Sequence, residues 1–156
     1  MTAKLRFRLL RRAMHAWFLA SRGLTLGVRG AVIDGENRVL LVRHTYVPGW
    51  QMPGGGVEIG EDAVAALTRE LAEEAEVELA STPQLHGVFL NRHVSRRDHV
   101  LVYVVREFRL LGPKRPDREI AEAAFFPITA LPDGVTRGTQ ARLQEIASGQ
   151  APSAHW

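Results

Sequence analysis

Three glutamates within five positions of one predicted helix are the residues in this chain that could perform chemistry. Glu70, Glu73 and Glu74 stand at i, i+3 and i+4, and at about 100° per residue their carboxylates share one side of the helix. Like charges at this spacing destabilise a helix by roughly 0.2–0.5 kcal/mol per pair. A cation would relieve that repulsion, and hard divalent ions such as Mg²⁺ or Mn²⁺ prefer carboxylate and carbonyl oxygens.

A glycine-rich loop precedes this helix. Gly54, Gly55, Gly56 and Gly60 lie just before it, and glycine can take positive φ and let the backbone approach a bulky anion closely. The loop leads into a helix N-terminus, where free N–H groups and the helix dipole favour phosphate. A phosphate-binding loop beside carboxylate-held metal ions suits the cleavage of a phosphoanhydride. A solvated polar surface is the simpler alternative, which the fixed spacing of loop and helix disfavours.

That spacing carries a family resemblance. Gly55 is followed after five residues by Glu61, and after seven more by the run Arg69-Glu70-Leu71-Ala72-Glu73-Glu74-Ala75-Glu76-Val77. The arrangement resembles the 23-residue box of the Nudix hydrolases, here Gly55 to Val77. One position departs from the family pattern, because Glu76 stands where glycine is usual. The flanking pattern extends the resemblance over roughly residues 24–147.

The resemblance implies a set of metal ligands. Glu70, Glu73, Glu74 and the carbonyl of Gly55 would hold divalent cations, Mg²⁺ or Mn²⁺. Glycine at position 76 would suit the left-handed turn that ends a helix. Glu76 therefore either adopts that strained turn or ends the helix differently, and neither alternative touches the metal positions.

The resemblance also implies catalytic roles for residues around the metal. Glu61 would assist through water, and Arg69 would hold the glutamates in place by ion pairing. The general base varies across the family, so Glu70 or Glu74 is a candidate. An acidic residue from a later loop is the other possibility, and the candidates there are Glu119 and Glu122.

Nudix enzymes hydrolyse nucleoside diphosphates linked to another moiety, and the box does not report that moiety. We expect Gly54 and Gly56 to contact the substrate. The basic loop from Asn91 to His99 is the other candidate, because its cations could hold a phosphate; they are Arg92, Arg96 and Arg97. A solvated hairpin loop is the alternative there. Aromatic residues that could stack on a base, or simply fill the core, are Trp50, Phe89, His93 and Tyr103.

Other function classes remain open. An RNA 5′-end pyrophosphohydrolase would use the basic loop and the basic N-terminus to follow a phosphate backbone. A non-catalytic module that senses nucleotides would typically have lost a metal glutamate, and this chain has lost none. Isopentenyl diphosphate isomerases share the fold but depend on a cysteine, which this chain lacks. A scaffolding role is the last alternative.

The elements that must position these residues point to an α+β fold, an α/β/α sandwich in which a mixed β-sheet is flanked by helices. Asp34 to Asn37 is predicted to form a hairpin turn between the first two strands. The predicted strands are Leu24–Ile33, Val39–Thr45, Leu85–Leu90, Val100–Phe108 and Ala123–Ile128; the predicted helices are Asp62–Ala75 and Thr139–Ala147; Val47–Gly56 and Gly112–Arg118 are predicted loops.

We divide the chain into a basic amphipathic helix (residues 1–23), a Nudix domain (24–147) and a C-terminal tail (148–156). One side of the first helix is apolar and carries Leu5, Leu9, Leu10, Ala13, Met14 and Trp17. Lys4, Arg8, Arg11 and Arg12 lie opposite, and Arg6 interrupts the apolar side. We expect this helix to dock on its own domain or on a second subunit of a homodimer. Contact with a membrane surface and a cleaved secretory signal are the alternatives.

Composition limits the remaining possibilities. The chain has 156 residues, is 46% hydrophobic and 24% charged, and carries a formal net charge of +3, which suits one compact domain. That charge would help to bind a phosphorylated substrate without demanding nucleic acid. Cysteine is absent, which excludes disulfides, thiolate zinc sites and a cysteine nucleophile and favours a cytoplasmic location. No apolar run approaches the ~18 residues that span a bilayer.

Overall fold

The computed structural model describes residues 3–156, with side chains from Leu9 onward. Of the residues used in the helical pattern above, Lys4, Leu5, Arg6 and Arg8 have side chains outside the described part. Helices and strands follow one another as α1 (Ala3–Arg22), β1 (Thr25–Val32), β2 (Arg38–His44), β3 (Trp50–Gln51), α2 (Ala63–Ala75), β4 (Val77–Leu79), β5 (Gln84–Leu90), β6 (Asp98–Val105), β7 (Phe108–Leu110), β8 (Ile120–Pro127) and α3 (Arg137–Ser148).

In the described part of the chain the strands form one mixed sheet and two antiparallel sheets, which lie between two helices. β1 pairs in parallel with β6, which pairs antiparallel with β5. β2 lies antiparallel between β3 and β8, and β4 pairs with β7. α2 covers one side through Leu67 and Leu71, and α3 covers the other through Leu143. The predicted α+β fold is confirmed, although the strands are divided among several sheets and the three short strands β3, β4 and β7 were not predicted.

The turn after β1 forms as predicted, but the hairpin does not. Asp34 accepts hydrogen bonds from the backbone N–H groups of Glu36 and Arg38 at 3.0 and 2.8 Å, and Asn37 has a φ of 58°. A single bridge, Ile33 with Val39, then joins the two strands. The glycine loop occupies the edge of β1 that a hairpin partner would use.

That glycine loop is bound to β1 by backbone hydrogen bonds. Gly30 N donates to Pro53 O at 2.9 Å, and Val28 N donates to Gly55 O at 2.8 Å. The absence of a side chain at Gly30 also lets α2 approach, since a Cβ there would lie 3.0 Å from a methyl group of Leu71. β1 therefore fixes the loop and the helix relative to each other.

α2 begins and ends at defined residues. Asp62 caps its N-terminus by accepting from Val64 N and Ala65 N at 2.9 Å each, as residues of this type do at helix starts. Glu76 ends it in the left-handed conformation, with φ 53° and ψ 39°. Of the two alternatives, the chain keeps the turn that glycine would suit and places a glutamate in it.

We expect Glu76→Gly to leave the midpoint of thermal unfolding unchanged or higher. Removing the Cβ relieves roughly 1 kcal/mol of left-handed strain, and the larger entropy of glycine in the unfolded chain offsets part of that gain. Ala65→Gly in α2 is the control, because glycine in an ordinary helical position costs about 0.5–1 kcal/mol. A clear fall in melting temperature for Glu76→Gly, measured by circular dichroism, would contradict this account of the turn.

The apolar side chains of α1 that the structure describes do not pack against the rest of the domain. Leu10 is 59% exposed and Trp17 is 62% exposed. The expectation of docking on the same domain was wrong, because α2 and α3 already cover the two sides of the sheets. None of the helices in the described part of the chain is long and apolar enough to cross a membrane.

The segment after α3 is packed against the domain rather than free. Leu90 N donates to Ala154 O at 3.0 Å, and Trp156 N donates to Leu90 O at 3.2 Å, so the tail extends the β5 edge. The Trp156 indole meets the buried ring of Phe89, with 6.1 Å between ring centroids. Gly138 makes room for it, because a Cβ there would overlap the indole.

Candidate active site

A cleft of about 280 Å³ lies where α2 faces the glycine loop. Glu70 and Glu74 project into it from the helix. Gly54 and Gly55 form the facing wall, and Glu119 reaches it from the loop before β8. The cleft therefore collects residues from three separate parts of the sequence.

Glu74 is the most buried of the clustered carboxylates. Its side chain is 8% exposed, and Oε1 lies 2.7 Å from Nε2 of His44 at the end of β2. Oε2 accepts from Gly54 N at 2.8 Å. Glu74 thus ties the helix to both the glycine loop and β2, and its position is fixed before any ligand binds.

Glu70 sits directly against the backbone of the loop. A methyl group on Gly55 would overlap the Glu70 carboxylate. Glu70 can therefore occupy this position only because residue 55 has no side chain. Arg69 Nη1 donates to Glu70 at 2.7 Å. Burial raises the pKa of Glu70, and the hydrogen bond from Arg69 offsets only part of that effect.

Arg69 connects the helix to the loop. Its Nε and Nη2 donate to the two carboxylate oxygens of Glu61 at 3.1 and 3.0 Å, and Nη2 also donates to Gly56 O at 3.1 Å. These side-chain hydrogen bonds lower the pKa of Glu61. A planar guanidinium in this bidentate arrangement is held rigidly, so Arg69 fixes the orientation of Glu70 relative to the loop.

Glu73 does not join the other two glutamates in the cleft. Its side chain is 63% exposed, and Oε2 lies 3.7 Å from Arg69 Nη1. About 100° per residue places Glu73 on the far side of Glu70 from Glu74. Across the described residues, no cluster of three or more histidine and acidic side chains is close enough to hold a metal ion as it stands. Three carboxylates were expected to converge, but only those of Glu70 and Glu74 lie in the cleft.

The carbonyl groups of the loop are partly engaged. Arg29 Nη1 donates to Met52 O at 3.0 Å and to Gly54 O at 2.7 Å. Gly55 O accepts from Val28 N and retains one lone pair, since a carbonyl oxygen has two. The site therefore offers two carboxylates of low exposure and one carbonyl oxygen, a donor set that suits a hard divalent cation.

Three residues of the cleft were missed from the sequence. Arg29 is a lone cation in the otherwise apolar strand β1, a signal that could have marked it. His44 ends β2, and its Nδ1 is buried without a hydrogen-bond partner. Tyr46 lies over His44, with 5.4 Å between ring centroids. No comparable sequence signal marks His44 or Tyr46.

The two candidate auxiliary bases differ in position. Glu119 lines the cleft. Glu122 pairs with Arg43 across neighbouring strands at 2.7 Å, and both side chains are 48% exposed. The structure therefore brings Glu119, and not Glu122, to the clustered carboxylates.

The basic loop contributes residues to a second groove rather than to the cleft. This groove of about 660 Å³ shares Arg29, Val47 and Gln51 with the cleft. Asn91, His93 and Val94 line it, together with Trp156 and residues of α3. The substrate-binding candidates Arg92, Arg96 and Arg97 are exposed and are not part of either lining.

Most of the candidate stacking aromatics fill the core. Phe89 is fully buried and Tyr103 is 8% exposed. Trp50 packs edge-on against Phe126 at 4.9 Å between centroids. Of the four, His93 alone is exposed at the groove.

A helix that carries the box, packs on one side of the sheets and lies opposite a glycine loop is the arrangement typical of the Nudix class. The family model for the NUDIX domain matches residues 23–146, so the chain belongs to the Nudix hydrolase family. Nudix hydrolases generally use divalent cations.

Three similar proteins illustrate the range of the family. The chain is 30% identical to an ADP-ribose pyrophosphatase of Methanocaldococcus jannaschii over 104 residues, which are 65% of this chain and 61% of that protein. It is 47% identical to an RNA pyrophosphohydrolase of Dinoroseobacter shibae over 58 residues, 32% and 36% of the two chains. The crystal structure of a MutT NUDIX hydrolase from Burkholderia pseudomallei superposes with a TM-score of 0.64 at 24% identity, covering 78% of this chain and 97% of that one.

The match to curated relatives is partial. In five curated relatives, which include the two enzymes named above, the segment that matches this chain covers between 27% and 61% of the relative's own length.

Proposed function

We propose that this protein is a metal-dependent pyrophosphohydrolase that cleaves the diphosphate linkage of a nucleotide or nucleotide derivative. One observation carries the proposal: two carboxylates of low exposure, Glu70 and Glu74, lie together in a cleft whose facing wall is the backbone of Gly54 and Gly55. Such a site suits a divalent cation and an anionic substrate together.

Mg²⁺ or Mn²⁺ fits the donor set. Glu70, Glu74 and the free lone pair of Gly55 O would hold the ion, and Glu73 would complete the set by rotating its exposed side chain toward Glu70. A bound divalent cation neutralises diphosphate oxygens and lowers the pKa of a coordinated water. Arg69 would then keep Glu70 oriented through its bidentate contact with Glu61.

The other cleft residues have separate roles. The backbone of Gly54, which lines the cleft, and that of Gly56, two residues further on, would lie beside the phosphates. His44 would position Glu74 through its 2.7 Å contact. Glu119 would act as an auxiliary base from the opposite side of the cleft. The adjoining groove, with His93 on one wall, would take the remainder of the nucleotide.

Glu119→Gln should lower kcat by about 10- to 100-fold and leave KM within a factor of two, because removing a general base slows proton transfer without changing substrate contacts. Glu122→Gln makes the same chemical change three residues away, outside the cleft, and should keep full activity. Steady-state kinetics on the best substrate test both variants. Equal losses, or no loss in either, would remove Glu119 from the mechanism.

A substrate panel tests the function directly. The protein is incubated with Mg²⁺ or Mn²⁺ and nucleoside triphosphates, dinucleoside polyphosphates, ADP-ribose, nucleotide sugars or 5′-triphosphorylated RNA, and the products are identified by phosphorus NMR. We expect cleavage at a phosphoanhydride bond, lost on chelation with EDTA and restored by added metal. Turnover that persists in EDTA, or no turnover of any substrate, would refute the proposal.

Cleavage at RNA 5′ ends is the second candidate, and the exposed arginines Arg92, Arg96 and Arg97 support it. Contacts between several cations and a phosphate backbone release counterions, so such cleavage weakens steeply with salt. Hydrolysis of a free nucleotide should be much less sensitive. Comparing kcat/KM for both substrates across a salt series separates the two candidates.

A further inference from the structure

The positive charge of the chain is concentrated in α1. The segment 1–22 holds six of the 20 lysines and arginines and none of the 17 acidic residues. The rest of the chain therefore has 14 basic and 17 acidic residues, a net charge of −3. The charge of +3 on the whole protein is due entirely to this one helix.

α1 also exposes an apolar side. Among its described side chains, Leu10, Met14 and Trp17 are 59%, 49% and 62% exposed. At about 100° per residue they lie on a different side of the helix from its described arginines, Arg11, Arg12 and Arg22. In proteins most of the stability of a helix comes from packing of its apolar side. The described apolar side chains of α1 lack such packing on the domain, so this side of the helix is available to a binding partner.

Charge and apolarity together select that partner. A second copy of α1 would offer apolar surface but would leave the arginines, which lie on another side of the helix, without an anionic partner. RNA would match the charge but would leave Leu10 and Trp17 in water. An anionic bilayer satisfies both, because it attracts the arginines electrostatically and accepts the apolar side chains at the headgroup boundary.

We propose that α1 binds the surface of anionic lipid bilayers, with Leu10, Met14 and Trp17 inserted at the level of the headgroups and the arginines facing lipid phosphates. Gly23 and Leu24 alone separate the helix from β1, so the domain would be held close to the membrane. Leu24, which follows the helix, is also exposed, at 65%. This proposal is independent of the reaction catalysed in the cleft.

Vesicle sedimentation tests the proposal with the full chain. We expect the protein to sediment with vesicles of phosphatidylcholine mixed with phosphatidylglycerol, to remain in the supernatant with phosphatidylcholine alone, and to be released by added salt. Leu10→Gln/Trp17→Gln and Arg11→Gln/Arg12→Gln should each lower the affinity for the mixed vesicles by at least about tenfold. Because these side chains are exposed, the melting temperature should not change.

Matched control variants separate this helix from general surface properties. Arg106→Gln/Arg115→Gln removes the same charge from exposed positions elsewhere. Leu85→Gln/Val88→Gln removes apolar side chains that are 47% and 49% exposed on β5. Both controls should bind vesicles as the unmodified protein does.

Several results would overturn the proposal. Absence of binding to mixed vesicles, equal binding to neutral vesicles, or binding that survives both helix variants would each do so. A dimer, seen by light scattering and lost in Leu10→Gln/Trp17→Gln, would assign the apolar side to a second copy. RNA binding lost only in Arg11→Gln/Arg12→Gln, without vesicle binding, would assign the helix to nucleic acid.

Discussion

Glu74→Gln should lower kcat/KM about a thousandfold, because it removes one charge from the cation site without changing the size of the side chain. The fold should survive the change. His44 can exchange its tautomer to accept from the new amide group, and the remaining amide oxygen can still accept from Gly54 N. Steady-state kinetics at saturating Mg²⁺, beside a thermal melt, measures both effects.

Glu78→Gln is the control for that experiment. Glu78 is a half-exposed carboxylate on β4 that pairs with Arg109 at 3.1 Å, four residues beyond Glu74 in the sequence. The substitution changes the net charge equally and should leave kcat/KM within a factor of two. Full activity in Glu74→Gln would refute metal-assisted catalysis by the α2 glutamates, and equal losses in both variants would indicate a non-specific charge effect.

Gly54→Ala should destabilise the folded protein by about 3 kcal/mol, near the upper end of what backbone strain costs. Gly54 has a φ of +142°, and a Cβ at this position would collide with the backbone of Val28 and Arg29. Backbone atoms cannot rotate aside as a side chain would. Urea denaturation followed by circular dichroism measures the loss.

Gly56→Ala, two residues away, is the matched control. A methyl group at Gly56 would have no neighbour within 4 Å, and the residue has no positive φ, so its substitution should change the stability by no more than about 0.5 kcal/mol. Similar losses at both positions would mean that the loop does not have this conformation.

Gly55→Ala completes the series with a different expected result. Its methyl group would displace the Glu70 carboxylate, which is a side chain and can move. We expect a loss of activity larger than the loss of stability, because the displaced group belongs to the proposed cation site. The three adjacent glycines would then separate backbone strain, ligand placement and solvent exposure.

The sequence predicted those parts of the site that depend on local spacing. The helix with Glu70 and Glu74, the glycine loop and the ion pair of Arg69 with Glu70 all lie within the box. Glu73 shows the limit of this reasoning, because a shared helix side does not determine which side chains reach a cleft.

Contacts between distant segments could not be predicted in the same way. His44 meets Glu74 from a strand 30 residues earlier, and nothing in the pattern of β2 indicates that pairing. The missing hairpin has a similar cause. The loop from Pro53 to Gly55 pairs with the edge of β1 that a hairpin partner would have used. Its glycines and proline carry no strand signal, so this pairing could not be predicted.

The position of the tail has a consequence for selectivity. Trp156 forms part of a wall of the groove beside the cleft. Its backbone N–H donates to Leu90 O, and its indole packs where Gly138 has no side chain. In the proposed function this groove takes the remainder of the nucleotide, so the size of substrate that it admits would depend on Trp156, far in sequence from the glutamates of α2. On that proposal, we expect exchange of the segment after α3 between related proteins to alter substrate preference without touching the residues of the box.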